Sequence, residues 1–382
     1  MRFDNTIWQE STLGQVCTGF DYGIGAEAIN FDGLNKYIRI TDIDEYNSHF
    51  IDKSKVSPSF INENCVVKEN DILFARTGAS TGKSYLYNKN DGKLYFAGFL
   101  IRANVKNEFS SYFIYQQTKI YRYKKWVKIM SERSGQPGIN AKEYQKYKVY
   151  YPNIKTQLKI SSFLTLIDQR IDTQSKIIED LELFKKSIEN QYFYCDKSND
   201  YASLGDIITQ LNSRNEQNKD FEVLSVSNKY GFIPQSEQFD DHEVASANKS
   251  NYKIVKQNDF AYNPARINVG SIAMLRRDKI GIVSPMYICF RANNNKILSS
   301  YLDYFTHSNK FNKEVLKNLE GSVRLCLSFE SLSKIKIYVP SLSTQSEIVK
   351  NLDLINNKIF IENKILEKLK EQKKYLLSNM FI

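Results

Sequence analysis

The sequence is poor in the residues that build metal sites and covalent frameworks. It holds three histidines, His49, His242 and His307, and five cysteines, Cys17, Cys65, Cys195, Cys289 and Cys326, scattered without a CxxC pair. Neither a structural zinc site nor a disulfide framework fits that spacing. No run of about 18 apolar residues occurs anywhere, and Met1-Arg2-Phe3-Asp4-Asn5 is not followed by an apolar signal core. A membrane span and a secretory leader are therefore not expected, and a cytoplasmic protein with no membrane partner is. Glycine and proline, only 16 and 7 in 382 residues, are missing altogether from residues 155–194 and 343–382. What remains is 42% apolar, enough for real cores over more than one domain, with 53 Lys+Arg against 43 Asp+Glu. The net charge of +10 favours an acidic partner such as nucleic acid without demanding one.

The chain is written twice. Leu13-Gly14 returns as Leu204-Gly205, Val67-Lys68-Glu69-Asn70-Asp71 as Val255-Lys256-Gln257-Asn258-Asp259, and Gly82 as Gly270. Arg102-Ala103-Asn104 matches Arg291-Ala292-Asn293, Ser110-Ser111-Tyr112 matches Ser299-Ser300-Tyr301, and Tyr150-Tyr151-Pro152 matches Tyr338-Val339-Pro340. The offset, 188 to 191 residues, is about half the chain, so the copies are domain-sized and a short-period solenoid is excluded. Each copy opens with a mixed segment, residues 1–154 and 198–342, whose short β-like runs (Tyr37 to Ile43, Asp71 to Arg76, Phe99 to Ala103; Glu222 to Val226, Asp259 to Tyr262, Tyr287 to Ala292) precede one helical stretch, Ser110 to Met130 or Ser299 to Lys317. The fold class is α+β, with a pseudo-two-fold internal repeat.

Each copy closes with a long helix, residues 155–197 and 343–382. In the first, Ile160, Leu164, Ile167, Ile171, Gln174, Ile178, Leu181, Lys185, Ile188 and Tyr192 alternate in steps of four and three; Ile348, Leu352, Ile355, Ile359, Glu362, Leu366, Leu369, Lys373, Leu376 and Met380 repeat this in the second. A sustained 3.5-residue period is a coiled-coil seam. The short connection from Cys195 to Ala202 puts the second α+β domain at the far end of the first helix, so the pair is expected to run antiparallel, a ruler of roughly 60 Å with a domain at each end. Gln174 and Glu362 should meet at its middle and fix the register, while Lys185 and Lys373 pack their stems and reach water. Thr344-x-x-Glu347 fits a capping box at the start of the second helix.

Gly78-Ala79-Ser80-Thr81-Gly82-Lys83-Ser84 resembles a phosphate-binding P-loop but has three residues between its glycines instead of four, and its counterpart around Gly270 has no lysine. Nucleotide binding is not expected, although Arg76, Thr77, Ser80 and Lys83 suit a nucleic-acid phosphate. Asn263-Pro264-Ala265-Arg266 is similar to the base-gripping tetrapeptide of amino-methyltransferases but lacks its second proline and aromatic residue. No nucleophile with a base, paired carboxylates or metal cluster stands out. A basic and aromatic tract does: Lys119, Tyr121, Arg122, Tyr123, Lys124, Lys125, Trp126 and Lys128, followed by a loop with Arg133, Ser134, Gln136 and Asn140. Arg and Gln suit bidentate reading of guanine and adenine edges, Lys suits phosphate, and the tract also fits a solvated helix face. The second copy offers Asn263, Arg266, Arg276, Arg277 and the loop residues Ser322 and Arg324, so the copies look like readers of two different short sequences.

Taken in order, these features resemble the specificity subunit of type I restriction-modification enzymes over essentially the whole chain. The resemblance rests on the Leu-Gly openings, the Asn-Asp strands (Asn70 to Leu73, Asn258 to Ala261) and the Ser134-to-Asn140 loop. A proline with a nearby glutamine also opens each long helix (Pro152 and Gln157, Pro340 and Gln345). The second copy departs from the loop pattern, with Val323-Arg324-Leu325-Cys326. The resemblance implies two target recognition domains on spacer helices and a bipartite, asymmetric double-stranded DNA target. It also implies two modification subunits that methylate adenine N6 with S-adenosylmethionine, and restriction subunits that use ATP and Mg. It implies no catalytic residue and no cofactor in this chain. The competing reading is a structural adaptor whose helices dock proteins and whose basic loops are incidental.

Overall fold

The computed structural model describes residues 7–45, 47–132, 136–194, 200–238, 248–321 and 325–381. The chain divides into two units, Met1–Ser175 with Ile365–Ile382, and Lys176–Lys364. Each holds one α+β segment and half of each long helix.

In the first unit, Cys17–Tyr22, Leu100–Val105, Asp71–Ala75 and Ser84–Leu86 form an antiparallel sheet in that spatial order. A second sheet orders Ala28–Asn30, Val56–Pro58, Lys36–Ile38 and Leu94–Phe96, its last pair parallel. Asp71–Ala75 is buried along its whole length because both faces are covered. Ile72 and Phe74 enter a core shared with the helices, and Leu73 and Ala75 enter a core with Tyr95, Phe96 and Leu100. That is why it reads as an unbroken apolar run instead of an alternating one. The second unit repeats the plan, with Ile208–Leu211, Ile288–Ala292, Asp259–Tyr262 and Ile272–Met274 in one sheet and Gly231–Pro234, Glu222–Ser227, Gly281–Val283 and Lys253–Val255 in the other.

Several expectations need correction. The run from Tyr37 is a strand only over Lys36–Ile38 and then turns as a 3-10 helix at Ile40–Asp42. Each helical stretch is two helices, Ser111–Gln116 and Tyr121–Ser131, Ser299–Thr306 and Asn309–Lys317. In the second unit Ser308 makes the break by accepting the Phe311 amide hydrogen at 3.2 Å. The repeat register also shifts. Asp71 stands opposite Asn104 and Asp259 opposite Arg291, so Asn104 and Arg291 are equivalent, two residues away from the Arg-Ala-Asn match. Likewise Ser110 corresponds to Leu298, since their amides occupy the same site described below.

The two Leu-Gly pairs have one explanation. Leu13 and Leu204 are fully buried, and their amides donate to Tyr147 O at 2.9 Å and Ile335 O at 2.8 Å. A Cβ on Gly14 would sit 3.1 Å from Gln145 Cβ, and one on Gly205 3.0 Å from Ser333 Cβ, so the close approach tolerates no side chain without a shift. Next to this contact the first and last strands of each segment pair, Gln9–Thr12 with Lys148–Tyr151 and Tyr201–Ser203 with Lys336–Tyr338. The closing strand then leads into a long helix.

Those helices are Ile154–Phe193 and Leu342–Met380. Every seam position named above is buried or half-buried, Gln174 and Glu362 included. Pairing is antiparallel: the opening half of the first helix meets the closing half of the second through Asp168 and Lys373 (2.5 Å), and its closing half meets the opening half of the second through Tyr192 and Asn351 (3.3 Å). Lys373 and Lys185 are half-buried, and each ammonium also takes a carboxylate, Lys373 that of Asp168 and Lys185 that of Glu189 at 3.6 Å. Thr344 does not cap the second helix. The helix begins at Leu342, and Ser341 Oγ accepts the Thr344 amide at 3.3 Å, as Asn153 Oδ1 accepts that of Thr156 at 3.0 Å in the first.

One turn inside each helix a buried glutamine clamps it to its domain. Gln157 Nε2 donates to Pro152 O at 2.9 Å and its Oε1 accepts from Ser110 N at 3.1 Å; Gln345 donates to Pro340 O at 2.8 Å and accepts from Leu298 N at 2.8 Å. Replacing Gln345 with Ala strands a buried carbonyl and amide together. The expected cost is about 3 kcal/mol, which lowers the calorimetric transition of the second unit by about 10 °C. A shift below about 2 °C would show the clamp to be dispensable.

Candidate nucleic-acid interface

In the first unit the doubly covered strand Asp71–Ala75 delivers the turn from Arg76 to Lys83. Ala75 closes the hairpin, its amide donating to Lys83 O at 2.8 Å and its carbonyl accepting from Gly82 N at 2.9 Å. Gly78 and Gly82 take φ of +76° and +88°, which glycine adopts at little cost. A Cβ on Gly82 would lie 2.5 Å from Val127 Cγ1, so the turn presses onto the helix Tyr121–Ser131, where Tyr123 donates from its hydroxyl to Gly82 O at 2.9 Å. The turn is also zipped to the loop that follows this helix: Gly78 N donates to Pro137 O and Ile139 N to Arg76 O, both at 2.9 Å. Arg76, Thr77, Ser80, Gln136 and Asn140, far apart in sequence, thus share one edge beside a basic helix.

The P-loop likeness fails on geometry as well as spacing. The amides of Gly78, Thr81, Gly82 and Lys83 donate to Pro137 O, Gly78 O, Ala75 O and Ser80 O respectively. These four N–H groups are therefore not available to a nucleotide phosphate. Among the described residues no group of three or more His, Cys, Asp and Glu is placed to hold a metal ion, and no helix is long and apolar enough to cross a membrane.

The second unit builds the same double loop from other residues. Asp259–Tyr262 leads into Asn263-Pro264-Ala265-Arg266; Gly270 has φ +88°, and Leu327 N donates to Pro264 O at 3.0 Å. Glu320 and Cys326 exchange backbone hydrogen bonds of 2.9 Å and close the neck of the second loop. Docking therefore survives without the Gln-Pro-Gly-Ile sequence. Arg266 is exposed at this edge, beside exposed Val269 and Leu325.

The basic and aromatic tract splits into two faces. Tyr121, Lys124, Lys125 and Lys128 point outward. Inward, Tyr123 is buried, Trp126 packs on Tyr147 with ring centroids 5.0 Å apart, and Arg122 lies 4.1 Å over the Tyr150 ring. Lys119 does not join the outer face: its ammonium donates to Ser48 Oγ, Ser84 O and Ser84 Oγ at 2.9, 3.0 and 2.9 Å and sits 4.4 Å over Tyr115. Burial lowers its pKa to about 7, helped by the like charges of Lys373 and Lys124. It lines a cleft of about 1910 Å³ bounded by the Lys83 turn, the Tyr121 helix and the paired long helices of this unit.

Other candidates have local partners. Lys83 pairs with Glu45 at 3.2 Å, Arg276 with Asp303 at 2.5 Å and Arg277 with Glu222 at 2.8 Å, so much of their charge is balanced in place. Asn140 caps the helix Ala141–Gln145, accepting from Glu143 N at 2.9 Å while Glu143 accepts from Asn140 N at 2.7 Å. The Asn140-x-x-Glu143 spacing carried that signal in the sequence. Asn263 Oδ1 accepts from Ala265 N at 3.0 Å to shape its turn. Arg76 stacks 4.9 Å over Tyr22, a residue sequence reasoning did not single out, and its Nε is buried without a hydrogen-bond partner. Arg133, Ser134, Ser322 and Arg324 lie outside the described residues.

A sequence profile for the type I restriction modification DNA specificity domain matches residues 5–183 and again 198–371. The type I restriction enzyme MjaVIII specificity subunit of Methanocaldococcus jannaschii is 24% identical over 356 residues, covering 83% of this chain and 79% of that protein. The S subunit of a type I restriction-modification system from M. genitalium superposes with a TM-score of 0.61 at 17% identity, over 100% of this chain and 98% of that one. A structure from work on complex assembly and conformational transition of the type I R-M system gives 0.60 at 14%, over 99% and 98%. These two likenesses show the fold, and the profile, matched once per repeat, shows the family: the chain belongs to the type I restriction-modification DNA specificity family.

Proposed function

We propose that the chain is the non-catalytic DNA-reading subunit of a type I restriction-modification complex, each double loop reading one half of a bipartite, asymmetric duplex target. The observation that carries this reading is the duplicated edge. A strand-end turn and a distant loop dock by backbone hydrogen bonds in both units, while the side chains they present differ. A constant frame with variable contacts is what two readers of different half-sites need. In this arrangement Lys124, Lys125 and Lys128 hold phosphates, and Gln136, Arg76 and Arg266 approach base edges. The spacer helices set the length of the unread segment. Their outer faces expose Phe163, Leu166, Phe184, Leu354 and Phe360, apolar surface suited to two modification subunits. Those subunits would supply S-adenosylmethionine and adenine N6 methylation, and restriction subunits would supply ATP and Mg chemistry.

Two tests separate this from an adaptor that reads no DNA. Gel retardation of target duplex by the chain with its modification subunit should fall steeply with added salt; an adaptor retards nothing. Within the complex, Lys124→Ala or Lys125→Ala should weaken all sequences alike and reduce the salt slope by about one. Gln136→Ala should relax one position of one half-site, a loss of about 1–3 kcal/mol in discrimination read by sequencing methylated adenines. An unchanged motif and affinity in all three variants would remove these residues from the interface.

A further inference from the structure

Besides the apolar packing of Ile160 and Leu164 or of Ile348 and Leu352, and the Ser110–Ser161 hydroxyl contact at 2.8 Å, two polar junctions tie each recognition domain to its long helix. The first is the glutamine clamp, Gln157 on Ser110 N and Gln345 on Leu298 N. The second lies eleven residues further along each helix, at Asp168 and Asn356, about 16 Å away at 1.5 Å per residue. There the residue six positions beyond the clamped amide arrives from the domain: Gln116 Nε2 donates to Asp168 Oδ2 at 3.4 Å, and Tyr304 Oη accepts from Asn356 Nδ2 at 2.8 Å. Each junction then adds a tyrosine–carboxylate bond. In the first unit the Tyr112 hydroxyl donates to Asp168, whose other oxygen takes Lys373 of the second long helix at 2.5 Å. In the second unit Tyr304 donates to Asp353 at 2.5 Å. Burial and the neighbouring carboxylate push both phenols far above their usual range, so each remains a donor.

Apolar packing is non-directional, and a polar junction only next to the chain crossing at Pro152 or Pro340 leaves rotation about that end unopposed by any directional bond. A second at the far end of the contact removes that freedom. We infer that the clasps formed by Tyr112 with Asp168 and by Tyr304 with Asp353 are positioning devices that fix the angle of each reading edge to its spacer helix, and thereby the tolerated number of base pairs between half-sites. This rests on the bipartite reading above.

The test uses the full chain assembled with its modification subunit. Half-sites are first identified from the adenines the wild-type complex methylates, and a library then keeps them constant while lengthening or shortening the spacer by one or two base pairs. Wild type should methylate one spacing. Tyr112→Phe and Tyr304→Phe, each nearly isosteric, should methylate neighbouring spacings to within about tenfold of the cognate one, the factor expected for loss of a charge-assisted hydrogen bond, with half-site base preferences unchanged. Two variants in separate units guard against one failing to fold, and thermal melting of both identifies such a failure. Folded variants that keep the wild-type spacing, or that lose methylation at every spacing, would overturn the inference. Wild type methylating all spacings equally would instead remove the bipartite reading itself.

Discussion

The burial of one glutamine side chain at the start of each long helix is the constraint from which the rest of the arrangement follows. Gln157 and Gln345 sit where a closing strand becomes a helix, and each satisfies the carbonyl of a proline just before it and the N-cap amide of a domain helix more than forty residues away. Unpaired, those backbone groups would be buried without water, which is costly. With them paired, the helix, its preceding strand and the domain helix share one polar joint. The apolar cores then close around it, Ile160 and Leu164 with Phe113 in the first unit, Ile348 and Leu352 with Tyr301 in the second.

Local signals were legible and long-range ones were not. The seam reads directly from spacing because one residue in every three or four must turn inward, and even polar Gln174 and Glu362 obey it. The duplication was readable too, but its register was not. Matching Arg102-Ala103-Asn104 to Arg291-Ala292-Asn293 follows letters, whereas pairing opposite Asp71 and Asp259 follows hydrogen bonds and makes Asn104 equivalent to Arg291. Both supply a donor to a buried carboxylate, so chemistry is retained where identity is lost. The basic tract misled for a related reason. A lysine in a sequence looks exposed, and only the tertiary contacts of Lys119 with Ser48 and Ser84 turn it inward.

No local pattern announced that the Arg76 turn and the Gln136 loop are one surface. Their link is made of backbone groups, Gly78 N to Pro137 O and Ile139 N to Arg76 O, which any sequence able to follow the same path could form. The second unit does so with Pro264 and Leu327 and without the corresponding loop motif. This independence from side chains is what permits a reading edge to change its specificity. Side chains that need not hold the loops together can vary without unfolding the frame.

The same separation explains how charge is distributed. Part of the positive charge behind the +10 excess is balanced in place. Lys83, Arg276 and Arg277 are held by carboxylates, and Lys373 and Lys185 are neutralised along the seam by partners at non-equivalent positions, Asp168 and Glu189. A seam lysine needs a carboxylate within reach, and the antiparallel pair offers one from the facing helix in one unit and from the same helix in the other. Either choice preserves packing, so selection on the frame does not dictate where the charge comes from. Lys124, Lys125 and Lys128 on one helix and Arg266 on a turn are exposed beside the two reading edges. Field there falls off within about 10 Å at moderate salt, so cations beside each edge act on a nearby polyanion more strongly than cations elsewhere on the surface.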